Sequence, residues 1–162
     1  MSEIKLEKFS NKPIIEPIIE GVKTYTPIIY SDSKGTSLRE NIFHPLQENI
    51  VWKCFKGSKS RDSVKWLEKN IKSLVLKYNR IWLYIWIGTC DITTLDRSTF
   101  LINLTSEDTS EIVEQITTNF QLIVQIISAY PQCKVTFLEI PIYSIRKWNY
   151  SHGHMNPIEF LE

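Results

Sequence analysis

Residues 81–91 read Ile81-Trp82-Leu83-Tyr84-Ile85-Trp86-Ile87-Gly88-Thr89-Cys90-Asp91. The run up to Ile87 is apolar, rich in β-branched and aromatic side chains, and predicts a central strand buried on both faces. It is far shorter than the roughly 20 residues that span a bilayer. Upstream, Val64, Leu67, Ile71, Leu74, Val75 and Tyr78 recur at spacings of three and four, which predicts a helix over about 62–78. Before it, residues 50–55 form a strand ended by Lys56-Gly57-Ser58, and residues 27–30 form another. Ser31-Asp32-Ser33-Lys34-Gly35 then reads as a turn into a helix.

Downstream a polar loop leads to Glu107, Asp108 and Glu111, acidic residues that favour a helix N-terminus. That helix carries Ile112, Ile116, Phe120, Ile123, Val124 and Ile127 on one stripe and ends before Pro131; residues 134–142 form a fourth strand. Strand and helix alternate throughout, so the expected fold is α/β, a three-layer α/β/α sandwich with a mostly parallel sheet. In such sheets ligands bind outside the carboxyl ends of the strands. Gly35, Gly57 and Gly88, three of only five glycines, fall at or just past those ends.

The chain has 162 residues, 43% hydrophobic, which describes one globular domain and excludes a disordered tail or a small disulfide scaffold. Lys plus Arg is 19 and Asp plus Glu is 18, a net charge of +1 that gives no electrostatic case for nucleic acid or an anionic membrane. Cys54, Cys90 and Cys133 form no CxxC pair, so no structural zinc is expected. Residues 1–23 hold Pro13-Ile14-Ile15-Glu16-Pro17-Ile18-Ile19-Glu20, whose prolines forbid a helix and predict an extended arm or linker. Residues 24–162 form the domain. No signal peptide is evident, and a cytoplasmic protein is expected.

Three blocks meet at the carboxyl edge: Ser31-Asp32-Ser33, Gly57, and Gly88-Thr89-Cys90-Asp91. Over about Thr26–Ile142 this set resembles the SGNH, or GDSL, hydrolase superfamily, in a form associated with retroelements. That family's first block reads Gly-Asp-Ser, its second gives a glycine and its third reads Gly-x-Asn-Asp. The resemblance implies an ester hydrolase with Ser33 as nucleophile and the amides of Ser33 and Gly57 as oxyanion donors. Cys90 then stands where the family has a donating asparagine, and Asp32, Gly88 and Asp91 complete the edge. A serine at a strand-to-helix turn suits this role, since its hydroxyl is exposed beside free helical amides.

Two departures matter. Ser31 replaces the first block's glycine, and the family's Asp-x-x-His block is absent, which predicts a domain incomplete at its C-terminus or one that keeps the fold without catalysis. His152 and His154 are the candidate replacement bases. A serine without a base is a poor nucleophile.

Plainer readings stand beside these. Asp32 or Ser33 can be an ordinary N-cap, His152 and His154 a solvated pair with no metal, Cys90 an inert thiol, and His44 a helix-end residue. Lys53, Lys56, Lys59 and Arg61 read as a solvated face, and the five tryptophans as packing.

The leading expectation is a hydrolase acting on a small ester without a cofactor. One alternative takes Ser31–Ser37 as a flavodoxin-type loop for an FMN phosphate, although it gives Gly57 no role. The other is a non-catalytic interaction module whose N-terminal arm docks on a protein partner or a second copy.

Overall fold

The structure, a computed structural model, describes residues 24–42, 48–105, 108–140 and 144–154. The arm expected over 1–23 and the helix-end role of His44 lie outside the described residues. Strands β1 (Thr26–Ser31), β2 (Val51–Cys54), β3 (Ile81–Trp86) and β6 (Cys133–Phe137) form one sheet in the order β2-β1-β3-β6, every pair parallel. Helix α1 (Ser33–Asn41) joins β1 to β2, and α2 (Ser60–Tyr78) joins β2 to β3. The α/β class and the mostly parallel sheet follow the alternation seen in the sequence.

The central pair sets the core. Ile28 lies beside Leu83 and Tyr30 beside Ile85, so all four share a face, and all are buried. Val64, Leu67, Ile71 and Leu74 of α2 cover that face, with Ile123 and Ile127 of α4 (Thr109–Ser128). The apolar stripes of both helices thus close the core that their spacing predicts, except at Val124, which the stripe places inward and which is exposed, while Ile126 packs against the core. Asp108 caps α4, accepting from the Ser110 amide at 2.7 Å.

The opposite face differs from expectation. Trp82, Tyr84 and Trp86 are half-buried, so β3 is fully covered on one side only. Helix α1, nine residues long, lies on this side at the carboxyl end, where Gly35 approaches Ser31 and Cys54. Large rings tolerate the partial cover because they stack and keep a polar handle. The Trp82 and Tyr84 ring centroids are 5.4 Å apart, and Trp82 Nε1 donates to Thr136 Oγ1 at 2.9 Å.

Strand β6 is shorter than the run 134–142. Its pairing stops once β3 gives out, with Leu138 N donating to the Ile85 carbonyl at 2.9 Å as the last rung. The stretch read as a polar loop contains α3 (Thr89–Ile92) and an antiparallel hairpin of β4 (Thr93–Leu95) and β5 (Ile102–Leu104). Helix α5 (Ile145–Ser151) seats on this hairpin through buried Asn149, which donates to the Ile102 carbonyl at 2.8 Å and accepts the Ile102 amide at 2.9 Å. Among the described residues no helix is long and apolar enough to cross a membrane.

Gly35 shows how tight the α1 contact is. A Cβ there would stand 2.5 Å from Ser31 Cβ and 2.7 Å from Cys54 Sγ. Alanine would gain up to about 1 kcal/mol in helix propensity, but overpacking of this kind costs about 1–3 kcal/mol. Gly35→Ala is therefore expected to lower the urea midpoint, although the same change stabilises most helices.

Candidate active site

The chain leaves β1 for β2 on one side, then passes back to β3 on the other. Such a reversal opens a crevice between the carboxyl ends of the two central strands. Ser31 and Trp86, the last residues of β1 and β3, are register partners, and Ser31 Oγ donates to the Trp86 carbonyl at 2.9 Å. The two following loops therefore emerge side by side.

Asp32 is the N-cap of α1 and only 1% exposed. Its Oδ1 accepts the Lys34 amide at 2.9 Å, and its Oδ2 is ion-paired with Lys34 Nζ. Lys34 Nζ donates across the crevice to Thr89 Oγ1 at 2.7 Å and lies 5.9 Å from the centroid of the Trp86 ring. Cys90 Sγ donates to Asp32 Oδ2 at 3.7 Å. Four side chains from two loops thus make one polar cluster. Lys34 and Thr89 were not singled out in the sequence, where a lysine in the first turn of a helix next to an acidic cap was the only signal.

Ser33 opens α1 and is exposed. Its hydroxyl has no hydrogen-bond partner among the described residues, while its neighbour Asp32 is held rigidly. Gly88 caps α3 at φ 138°, a conformation that favours glycine, and a Cβ there would stand 2.2 Å from Ile140 Cδ1. Gly57 adopts φ 75° in the β2–α2 turn and lines a cavity of about 300 Å³ on the Tyr30 face, whose lining does not include Ser33.

Asp91 turns away from Ser33 to cap α2. Its two carboxylate oxygens accept the Ser60 amide at 3.1 and 3.0 Å, and Oδ1 accepts Ser60 Oγ at 2.7 Å. Asn119 Nδ2 of α4 donates to Ser60 Oγ at 2.9 Å, which ties both long helices to the β3 loop. The histidines are engaged elsewhere. His152 Nδ1 meets the Trp148 carbonyl at 2.9 Å and its ring stacks on Trp148, while His154 Nε2 meets the Thr99 carbonyl at 3.0 Å. Among the described residues no hydrogen bond joins either to Ser33, and none group as three or more metal-ligating side chains.

Burial pushes the Cys90 thiol up to about 11, and the Asp32 carboxylate beside it adds to the effect. A thiol that stays protonated is a weak nucleophile. Burial also raises Asp91 above the usual carboxylate range, against the hydrogen bonds from Ser60. No family model, no curated protein and no solved structure matches the chain.

Two outcomes follow from these ionisations. Cys90 is expected to resist iodoacetamide at pH 7.5 in the folded protein and to become labelled in urea, as mass spectrometry of its peptide would report. For Asp91, folding favours the neutral carboxyl. That contribution is complete below the unfolded value of 3.8 and is lost as pH rises through the raised folded value. Relative to Asp91→Asn, which keeps an acceptor for Ser60, the wild type should gain stability as urea midpoints are taken from pH 7 towards pH 4. Asp91→Ala removes the cap and should cost about 1 kcal/mol.

Proposed function

We propose that the chain is an SGNH-like serine ester hydrolase domain, with Ser33 as acyl acceptor and its base missing or supplied from outside this chain. The observation that carries this reading is the Ser33 hydroxyl, exposed and unpaired at the start of α1 beside the topological switch of the sheet. Among the described residues, the side chains of Ser31, Asp32, Lys34, Thr89 and Cys90 at this edge are engaged within the protein, whereas the Ser33 hydroxyl is left to meet a substrate.

In this reading Ser33 Oγ attacks the ester carbonyl carbon as its proton passes to water or an added base. The tetrahedral intermediate expels the alcohol or phenol as its anion, and water then cleaves the acyl-serine to release the acid and restore Ser33. The developing oxyanion accepts from the Ser33 amide, which no intrahelical carbonyl can claim at the first position of a helix. The Lys34 ammonium is neutralised by Asp32 in the pair that holds it and adds little. Cys90 supplies little at the third block, because a thiol donates weakly. The absence of one good donor costs roughly 10²–10³ in rate, so turnover is confined to activated esters.

The flavin alternative fares worse. Asp32 takes the Lys34 amide and ammonium that a phosphate would need, and its buried carboxylate would repel one. The hydrolase reading is tested with p-nitrophenyl acetate. Ser33→Ala, a change at an exposed position, should leave the urea midpoint in place and reduce ester cleavage at least tenfold, to the level of buffer. An unchanged rate in that variant would remove Ser33 from the chemistry.

A further inference from the structure

The side of the sheet turned away from the core is short of cover. A sheet whose strands are all parallel is normally buried on both faces. Helices α2 and α4 close one face, and on the other α1 packs on β1 and β2. Among the described residues no helix lies across the part of β3 and β6 that carries Trp82, Tyr84, Lys134 and Thr136. Register puts Pro27 and Ile29 of β1 on the same side, half-buried like the two rings. Tyr25, at the entry to β1, meets Trp82 edge-on with ring centroids 6.2 Å apart, and Trp82 stacks on Tyr84. Together they form an aromatic platform.

The charge at its rim has one sign. Lys134 Nζ lies 4.6 Å from the Tyr25 ring centroid and 5.4 Å from that of Trp82, and Arg80 Cζ lies 5.4 Å from that of Tyr25. Neither cation forms an ion pair among the described residues, and no strand residue on this side is acidic. A cover that fits is apolar on one side and carries carboxylates.

The chain holds such a segment close by. Pro13-Ile14-Ile15-Glu16-Pro17-Ile18-Ile19-Glu20 ends five residues before Tyr25. In extended backbone alternate side chains share a side, so Pro13, Ile15, Pro17 and Ile19 make one wholly apolar side and both glutamates fall on the other. The prolines lack the amide donors that strand pairing needs, whereas proline-spaced extended segments dock readily on aromatic surfaces. At about 3.3 Å per residue the link reaches about 17 Å and the segment spans about 26 Å, enough to cross the platform. A tether this short also sets an effective concentration on the order of millimolar, which favours the chain's own sheet over that of a second copy.

We propose that residues 13–20 are the missing cover of the sheet, docked in the same chain with Pro13, Ile15, Pro17 and Ile19 on Tyr25, Trp82 and Tyr84. Glu16 and Glu20 then meet the long side chains of Lys134 and Arg80 at the rim. Ser33 has no part in this contact, so it stands or falls apart from the hydrolase reading.

The test uses the full-length protein with a benzophenone amino acid at position 15, irradiated and mapped by mass spectrometry. An equal mixture of unlabelled and nitrogen-15 protein separates links within one chain from links between copies. Links should fall mainly on the peptides holding Tyr25, Trp82–Tyr84 or Lys134–Thr136, and within one chain. The same probe at position 18, on the other side of an extended segment, should link to them at most half as well. Lys134→Glu, an exposed change, should leave the urea midpoint in place and lower the position-15 yield at least twofold. The proposal is overturned by links that fall mainly elsewhere, by links mainly between copies, by equal yields from positions 15 and 18, or by a yield unaltered in Lys134→Glu.

Discussion

The parallel pairing of β1 with β3 is the constraint on which everything else rests. Its register runs without a break from Thr26 against Ile81 to Ser31 against Trp86. Side chains alternate along both strands, so a slip of β1 by one residue would turn Ile28 and Tyr30 out of the core together and leave Leu83 and Ile85 without them. The same register levels the two strand ends, and the Ser31–Trp86 hydrogen bond pins them there. The core and the crevice are two results of one alignment.

What could be read from the sequence follows from how long and how periodic each signal was. The stripes of α2 and α4 repeat over several turns, and the strands β1 to β3 carry concentrated apolar runs, so all were recoverable to within a few residues. Strands β4 and β5 have three residues each and half-exposed faces, too little for an alternation to register. Asn149 of helix α5 bonds a remote hairpin, which no local pattern encodes. The face of β3 holding Trp82, Tyr84 and Trp86 was misjudged because an unbroken apolar run does not say how much of it a short α1 can cover.

At the site the sequence located the right edge but not the partnerships. Asp32 was foreseen as a possible N-cap, and it is one. Its second partner, Lys34, and the reach of that lysine to Thr89 span 55 residues of chain and depend on the sheet order. Asp91 was placed in the crevice by its block, whereas the helix it caps draws it away. In each case a charged group answers to the nearest unsatisfied donors, and the fold decides which those are.

The cap of α2 also bears on the order in which the molecule assembles. Asp62 serves the Lys59 amide from three residues away and can do so in an isolated turn. Ser60 waits for Asp91 and Asn119, 31 and 59 residues along the chain. Its partners arrive only after β3 has paired and α4 has docked, and closing loops of that length is slow compared with winding a helix. The first turn of α2 is thus a late-setting joint. A helix whose body can form early has its N-terminus locked by the last crossover of the sheet.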